Sequence, residues 1–218
     1  MAIIFSKTNR EQIERNIIQN LNSVNLMNSS TVNSPRAVGD AIQEYLEEHF
    51  VECVPKGLIT DFNSAFARRS MADFAFTDSE GNYHVVDNKT HNLGTQFNMP
   101  NLTSVERLAR FYQDSKNIFT ILLVSYNTDG TQLLFSECKF VPIEMLDWSC
   151  LTLGALGWGQ IQIANSNIVR TNEEYTRKKW MLQLCDNMDI FYPNEVAKIT
   201  KRITYFGKVR EFWLSQPD

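Results

Sequence analysis

Several common features are missing from this chain of 218 residues, and each omission removes a class of function. No stretch approaches the roughly 18–20 consecutive apolar residues of a membrane span, so no membrane partner is expected. Met1 to Arg10 holds too short an apolar run for a secretory signal. The four cysteines, Cys53, Cys138, Cys150 and Cys185, are scattered and lack CxxC metal spacing, so reduced thiols in a cytoplasmic protein are the simplest account. The glycine-punctuated stretch Leu151–Gly159 lacks the Lys-Ser/Thr of a P-loop and precedes no helix, which argues against nucleotide binding. Low-complexity runs are absent too. With 43% hydrophobic and 21% charged residues, the composition is that of a globular protein, read as a single domain over residues 1–218.

Net charge, at −4, does not advertise a nucleic-acid binder, but its distribution is uneven. Residues 170–210 hold nine Lys/Arg against five acids, a local +4, which leaves −8 for the rest. A basic region on an acidic body suits a protein that touches phosphate on one face, although a solvated helix face gives the same pattern.

What is present alternates between helical and extended patterning. Ile13, Ile17, Ile18 and Leu21 predict a helix over 8–22, capped by Thr8 or Asn9. An Asn/Ser/Thr-rich loop follows to Pro35. A second helix is predicted from Arg36 to Glu52, with Ile42, Tyr45, Leu46 and Phe50 on one face and Asp40, Glu44, Glu47 and Glu48 on the other. Ser104–Tyr112 reads as a helix and Asn117–Tyr126 as a strand buried on both faces. Leu133–Val141 and Gln160–Ile163 read as further strands. Helices over Thr171–Asp189 and Pro193–Trp213 close the chain, with Thr171 or Asn172 as cap of the first. The order implies an α/β domain with a central mixed β-sheet flanked by helices.

Met71–Phe76 and Tyr83–His91 read as two strands joined by the turn Asp78–Asn82. Residues two apart on a strand share a face, so Asp87 and Lys89 are neighbours, and a hairpin brings Asp73 beside them. Two carboxylates can hold a hard cation such as Mg²⁺ while leaving it largely hydrated. An ammonium alongside can orient water and stabilise phosphate charge. From this spacing alone a surface ion pair is the commoner cause.

The wider pattern shifts that balance. Asp73, then Asp87-Asn88-Lys89, resembles the core of the PD-(D/E)xK nucleases. The run from Val86 to Thr90, the amide-rich loop to Pro100–Ser104, Asn117–Leu123 and Gly154–Ile163 are together similar to type II restriction endonucleases of the HpaI and HincII kind. Ala37–Phe50 is similar to their N-terminal helix, so the likeness runs from about Ala37 to Asp189. The resemblance implies a restriction-endonuclease-like core over 36–190, followed by a C-terminal helix in 191–218. It implies that Asp73 and Asp87 bind Mg²⁺ with help from the Asn88 carbonyl, and that Lys89 stands beside the attacking water. Helix acids of relatives fall here at Gln43, with Glu44 adjacent. Ala72 stands where the motif has proline. His91 and Asn92 would lie near the scissile phosphate, and Gln96, Asn98, Asn101, Ser104, Gln160 and Gln162 would contact DNA, since amides both donate and accept at base edges. The implied protein is a homodimer that cuts double-stranded DNA at a short palindrome, GTTAAC-like or more AT-rich, leaving blunt 5′-phosphate ends. A cognate DNA methyltransferase would be its functional partner. A repair or transposition nuclease of the same core, or a non-catalytic DNA-binding module, are the rivals.

Overall fold

The computed structural model describes residues 2–27, 34–63, 72–95, 98–129 and 132–217, which form two compact units, 1–174 and 175–218. The predicted strand start at Met71 and the predicted DNA contact Gln96 lie outside the described residues.

Two helices open the first unit. Helix α1 (Lys7–Asn22) is capped by Ser6, whose hydroxyl accepts from the Asn9 amide, rather than by Thr8 or Asn9. Helix α2 (Pro35–Cys53) begins with Ser34 as cap and Pro35 in its first turn, where a missing N–H costs nothing. The sheet strands follow as β1 (Ile59–Asn63), β2 (Phe74–Asp78), β3 (Tyr83–Asn92), β5 (Asn117–Asp129) and β6 (Gln132–Pro142). Their order is β1-β2-β3-β5-β6, with β3 and β5 parallel and the other neighbours antiparallel. This is the mixed sheet flanked by helices that the sequence order implies. Between β3 and β5 run β4 (Asn101–Ser104) and α3 (Val105–Phe111).

Side-chain alternation sorts the sheet into two faces. Phe74, Phe76, Val86, Leu122, Val124 and Phe140 join Ile13, Ile17 and Leu21 of α1 and Val38, Ile42, Leu46 and Phe50 of α2 in one apolar cluster. Phe50 sits at its centre, with ring centroids 4.8 Å from Phe74, 5.7 Å from Phe76 and 5.5 Å from Phe140. The alternate residues Val85, Phe119, Ile121 and Leu123 are buried on the opposite face, which explains why β5 reads as a nearly unbroken apolar run.

A second sheet, missed in part by the sequence reading, has the order β4-β8-β7, with β7 at Leu151–Gly154 and β8 at Gln160–Ile163. The stretch read as one glycine loop is therefore half strand. Leu151 and Leu153 pair with Ile163 and Ile161, but four residues beside glycines carry too little pattern to show it.

The second unit is organised on helix α4 (Arg177–Leu214), 38 residues long and capped by the Thr176 hydroxyl on the Lys179 amide. Two helices were expected here. The helix instead begins six residues after Thr171 and runs through Pro193 without ending. Proline removes one amide and crowds the preceding turn, and long helices absorb this as a local adjustment. No described helix is long and apolar enough to cross a membrane.

Candidate active site

The site is set by the antiparallel register of β2 and β3. Phe74 pairs with Val86, and just ahead of that pair the Asp73 amide donates to the Val86 carbonyl at 2.8 Å. Asp87 and Lys89 share a face of β3, and the Asp73 carboxylate reaches the Asn88 main chain between them.

Each carboxylate is held. An Asp73 oxygen accepts from the Asn88 main-chain N–H at 2.6 Å, and an Asp87 oxygen accepts from the Lys89 ammonium at 2.6 Å. The second Asp87 oxygen is buried and has no hydrogen-bond partner among the described residues. Burial pushes the Asp87 carboxyl up to about 7; the Lys89 ammonium opposes the rise and Asp73 adds to it. Burial raises Asp73 as well, against the Asn88 amide and the Lys89 charge, with Glu47 adding repulsion.

A pair of carboxylates that repel each other, one with an idle buried oxygen, is a donor set suited to a hard cation. Among the described residues no group of three or more His, Cys, Asp or Glu side chains gathers as a metal cage. Two protein carboxylates match Mg²⁺, which usually keeps several waters, better than zinc, which is most often held by four. Asn88 is buried, and its side chain lies on the α2 face of β3, opposite to Asp87 and Lys89. What Asn88 can offer the site is its main chain.

Helix α2 supplies a different acid from the one expected. Glu44 is exposed. Glu47 is buried, accepts from the Gln43 amide at 2.9 Å, and is the helix acid whose charge acts on Asp73. Gly39, Gln43 and Glu47 are four apart and line one stripe of α2. At the start of that stripe, a Cβ on Gly39 would come within 3.1 Å of the Thr90 hydroxyl, so the helix crosses close to β3. In the sequence the i, i+4 step from Gln43 was the available signal, but Glu47 looked like one more acid on a solvated face.

The amides separate into two groups. The second sheet aligns Thr152, Gln162 and Asn101 in one cross-strand row and Gly154, Gln160 and Ser104 in the next. Gln162 donates to the Asn101 side chain at 2.6 Å across about sixty residues of chain. Ile161 and Ile163 are buried on the other face. Next to this polar face lies a cavity of about 420 Å³ lined by Ser104, Arg107, Leu156, Trp158 and Gln160. Asn98 is exposed, and its main chain is tied to Ser166 in both directions.

His91 and Asn92 are not part of this display. His91 is buried on the Asp87–Lys89 face, with one ring nitrogen 2.8 Å from the Asn167 side chain. The Asn92 side chain accepts from the Gly94 amide and shapes its own turn. Comparison with protein-family models and with curated proteins finds no match for the chain.

Proposed function

We propose that this chain is a Mg²⁺-dependent endonuclease of the type II restriction class, cutting double-stranded DNA at a short palindromic site as a homodimer. The observation that carries the reading is Asp73, held on the Asn88 amide, close enough to Asp87 to act on its charge, with Lys89 bound to Asp87 and one Asp87 oxygen idle. Asp73 and Asp87 would hold the ion. Bound there, Mg²⁺ supplies charge neutralisation at a phosphate and a more acidic water. Lys89 opposes by its charge the rise that burial imposes on Asp87, and stands where its ammonium can orient a nucleophilic water. The Asn88 N–H fixes the Asp73 carboxylate, so that neither acid swings away from its partner.

The polar face of the second sheet supports the DNA half of the reading. Asn101, Gln160, Gln162 and Ser104 form a flat array of donors and acceptors on short strands, with the buried isoleucines behind holding it rigid. Such an array suits base edges or sugar-phosphate oxygens. The cut site, a palindrome with a central pyrimidine–purine step, belongs to the same proposal.

The test is digestion of phage DNA by the purified protein with Mg²⁺, followed by sequencing of the ends. Discrete fragments with 5′-phosphates are expected from the native chain and none from Lys89→Ala or Asp87→Asn. A smear, or cutting that survives Lys89→Ala, sinks the assignment. One observation favours a second reading. The Lys89–Asp87 pair is already closed and no third carboxylate among the described residues gathers with it, as in a DNA-binding module without catalysis. That module would shift DNA in a gel and never cut it.

A further inference from the structure

Beyond Leu184, no described residue of α4 is buried, although this part of the helix is rich in large apolar side chains. Val196, Ile199, Ile203, Phe206 and Trp213 are each between 49% and 68% exposed. Their positions, with Arg210 between the last two, step by three, four, three, four and three. That is the seam of a helix that supercoils with another helix, because a 3.5-residue repeat keeps one stripe facing a partner. A solvated helix has no reason to hold this spacing, and a run of exposed Ile, Phe and Trp is costly unless covered.

The charges along the same helix say what covers it. From Met181 to Glu195 it carries Asp186, Asp189 and Glu195 and no Lys or Arg. From Val196 to Arg210 it carries Lys198, Lys201, Arg202, Lys208 and Arg210 and no acid. Glu195 is paired with Lys198 at 2.6 Å along the helix, so Asp189 and Arg210 matter most. Both fall on the seam itself, one heptad before Val196 and one heptad after Ile203. In a parallel pair of identical helices, Asp189 would meet Asp189 and Arg210 would meet Arg210. Running antiparallel, with Ile199 opposite Ile203 and Val196 opposite Phe206, each Asp189 comes within one turn of the second copy's Arg210.

We infer that α4 is a self-association helix whose exposed seam pairs antiparallel with α4 of a second copy of this chain. The inference stands on α4 alone and holds whether or not the protein cuts DNA. In this arrangement the apolar layers exclude water, and the two charged seam positions fix orientation, since the parallel pairing sets like charges together. The basic half of the helix is thereby used in recognising self.

Sedimentation of the full chain under reducing conditions at micromolar concentration tests this. The expected mass is twice the 25.2 kDa of one chain. Ile203→Glu with Phe206→Glu should leave the helical circular dichroism unchanged and return the mass to a single chain. Asp189→Arg and Arg210→Asp should each raise the dimer Kd by about tenfold or more, and the two together should restore it, because the exchanged charges again face each other. A native chain at single-chain mass overturns the proposal. So does a double exchange that binds no better than either single variant, which is the behaviour of a parallel pair.

Discussion

Asp87 carries the sharpest consequences of any residue. Its carboxyl is raised to about 7 in the fold, chiefly by burial, whereas an unfolded chain restores an ordinary carboxylate. The folded state therefore holds this proton more tightly than the unfolded state. The site contributes stability at low pH, and that contribution is lost as pH climbs from about 4 towards about 7. A cation competing for the same oxygens needs the ionised form, so its affinity runs the other way. Mg²⁺ should raise the Tm more at pH 8 than at pH 6, and Asp87→Asn should abolish the difference. Equal shifts at both pH values would mean that the ion binds elsewhere. Asp78 gives the opposite linkage. Burial pushes it up, but hydrogen bonds from Asn82 and His84 outweigh this and hold it low, so its contribution is lost as pH falls. At the same scale, Glu47→Gln should change the cleavage rate by removing a negative charge that acts on Asp73, while Glu44→Ala on the exposed face should leave it within twofold.

At the scale of elements, the second sheet turns separate amides into a surface. Gly154 has a specific task in it: a Cβ at this position would come 2.7 Å from the Gln162 side-chain oxygen. Gln162 must then move, and its bond to Asn101 is the one within reach to be lost. Gly154→Ala should keep thermal stability within about 1 kcal/mol of the native protein while weakening DNA binding. Gel shift beside a thermal melt separates the two effects, and unaltered DNA affinity would remove Gln162 from the interface. The ends of the elements were the least legible part of the chain. The starts of α1 and α4 are set by Ser6 and Thr176, whose hydroxyls compete with neighbouring Thr and Asn residues of equal capping ability. Only the geometry of the turn chooses between them. Strand β4, four residues with an irregular register to β8, has too short a pattern to announce itself.

Across the molecule, helices α1 and α2 and the main sheet share one apolar cluster, and Phe50 packs on four aromatic rings of the sheet. Phe50→Ala removes those contacts and leaves a cavity, so it should cost about 3–5 kcal/mol. Urea unfolding measures it; a loss below about 1 kcal/mol would mean the cluster collapses around the gap. The sequence by itself determined much of this layout. Ile13, Ile17 and Leu21 recur at helical spacing, Asp87 and Lys89 alternate on a strand, and the apolar run after Asn117 marks a strand buried on both faces. These are local periods, readable because each residue's direction depends on its near neighbours in the chain. Tertiary structure alone decided the rest. Asp73 reaches the Asn88 amide beside Asp87 only because β2 folds back on β3, and Asn101 meets Gln162 only through a sheet closed over sixty residues. Glu47 rather than Glu44 acts on Asp73 because the stripe of α2 that begins at Gly39 packs close to β3. The Asp87 oxygen lies idle because the fold buries it. Contact and burial between distant segments come from packing the whole chain, and no local pattern of side chains encodes them.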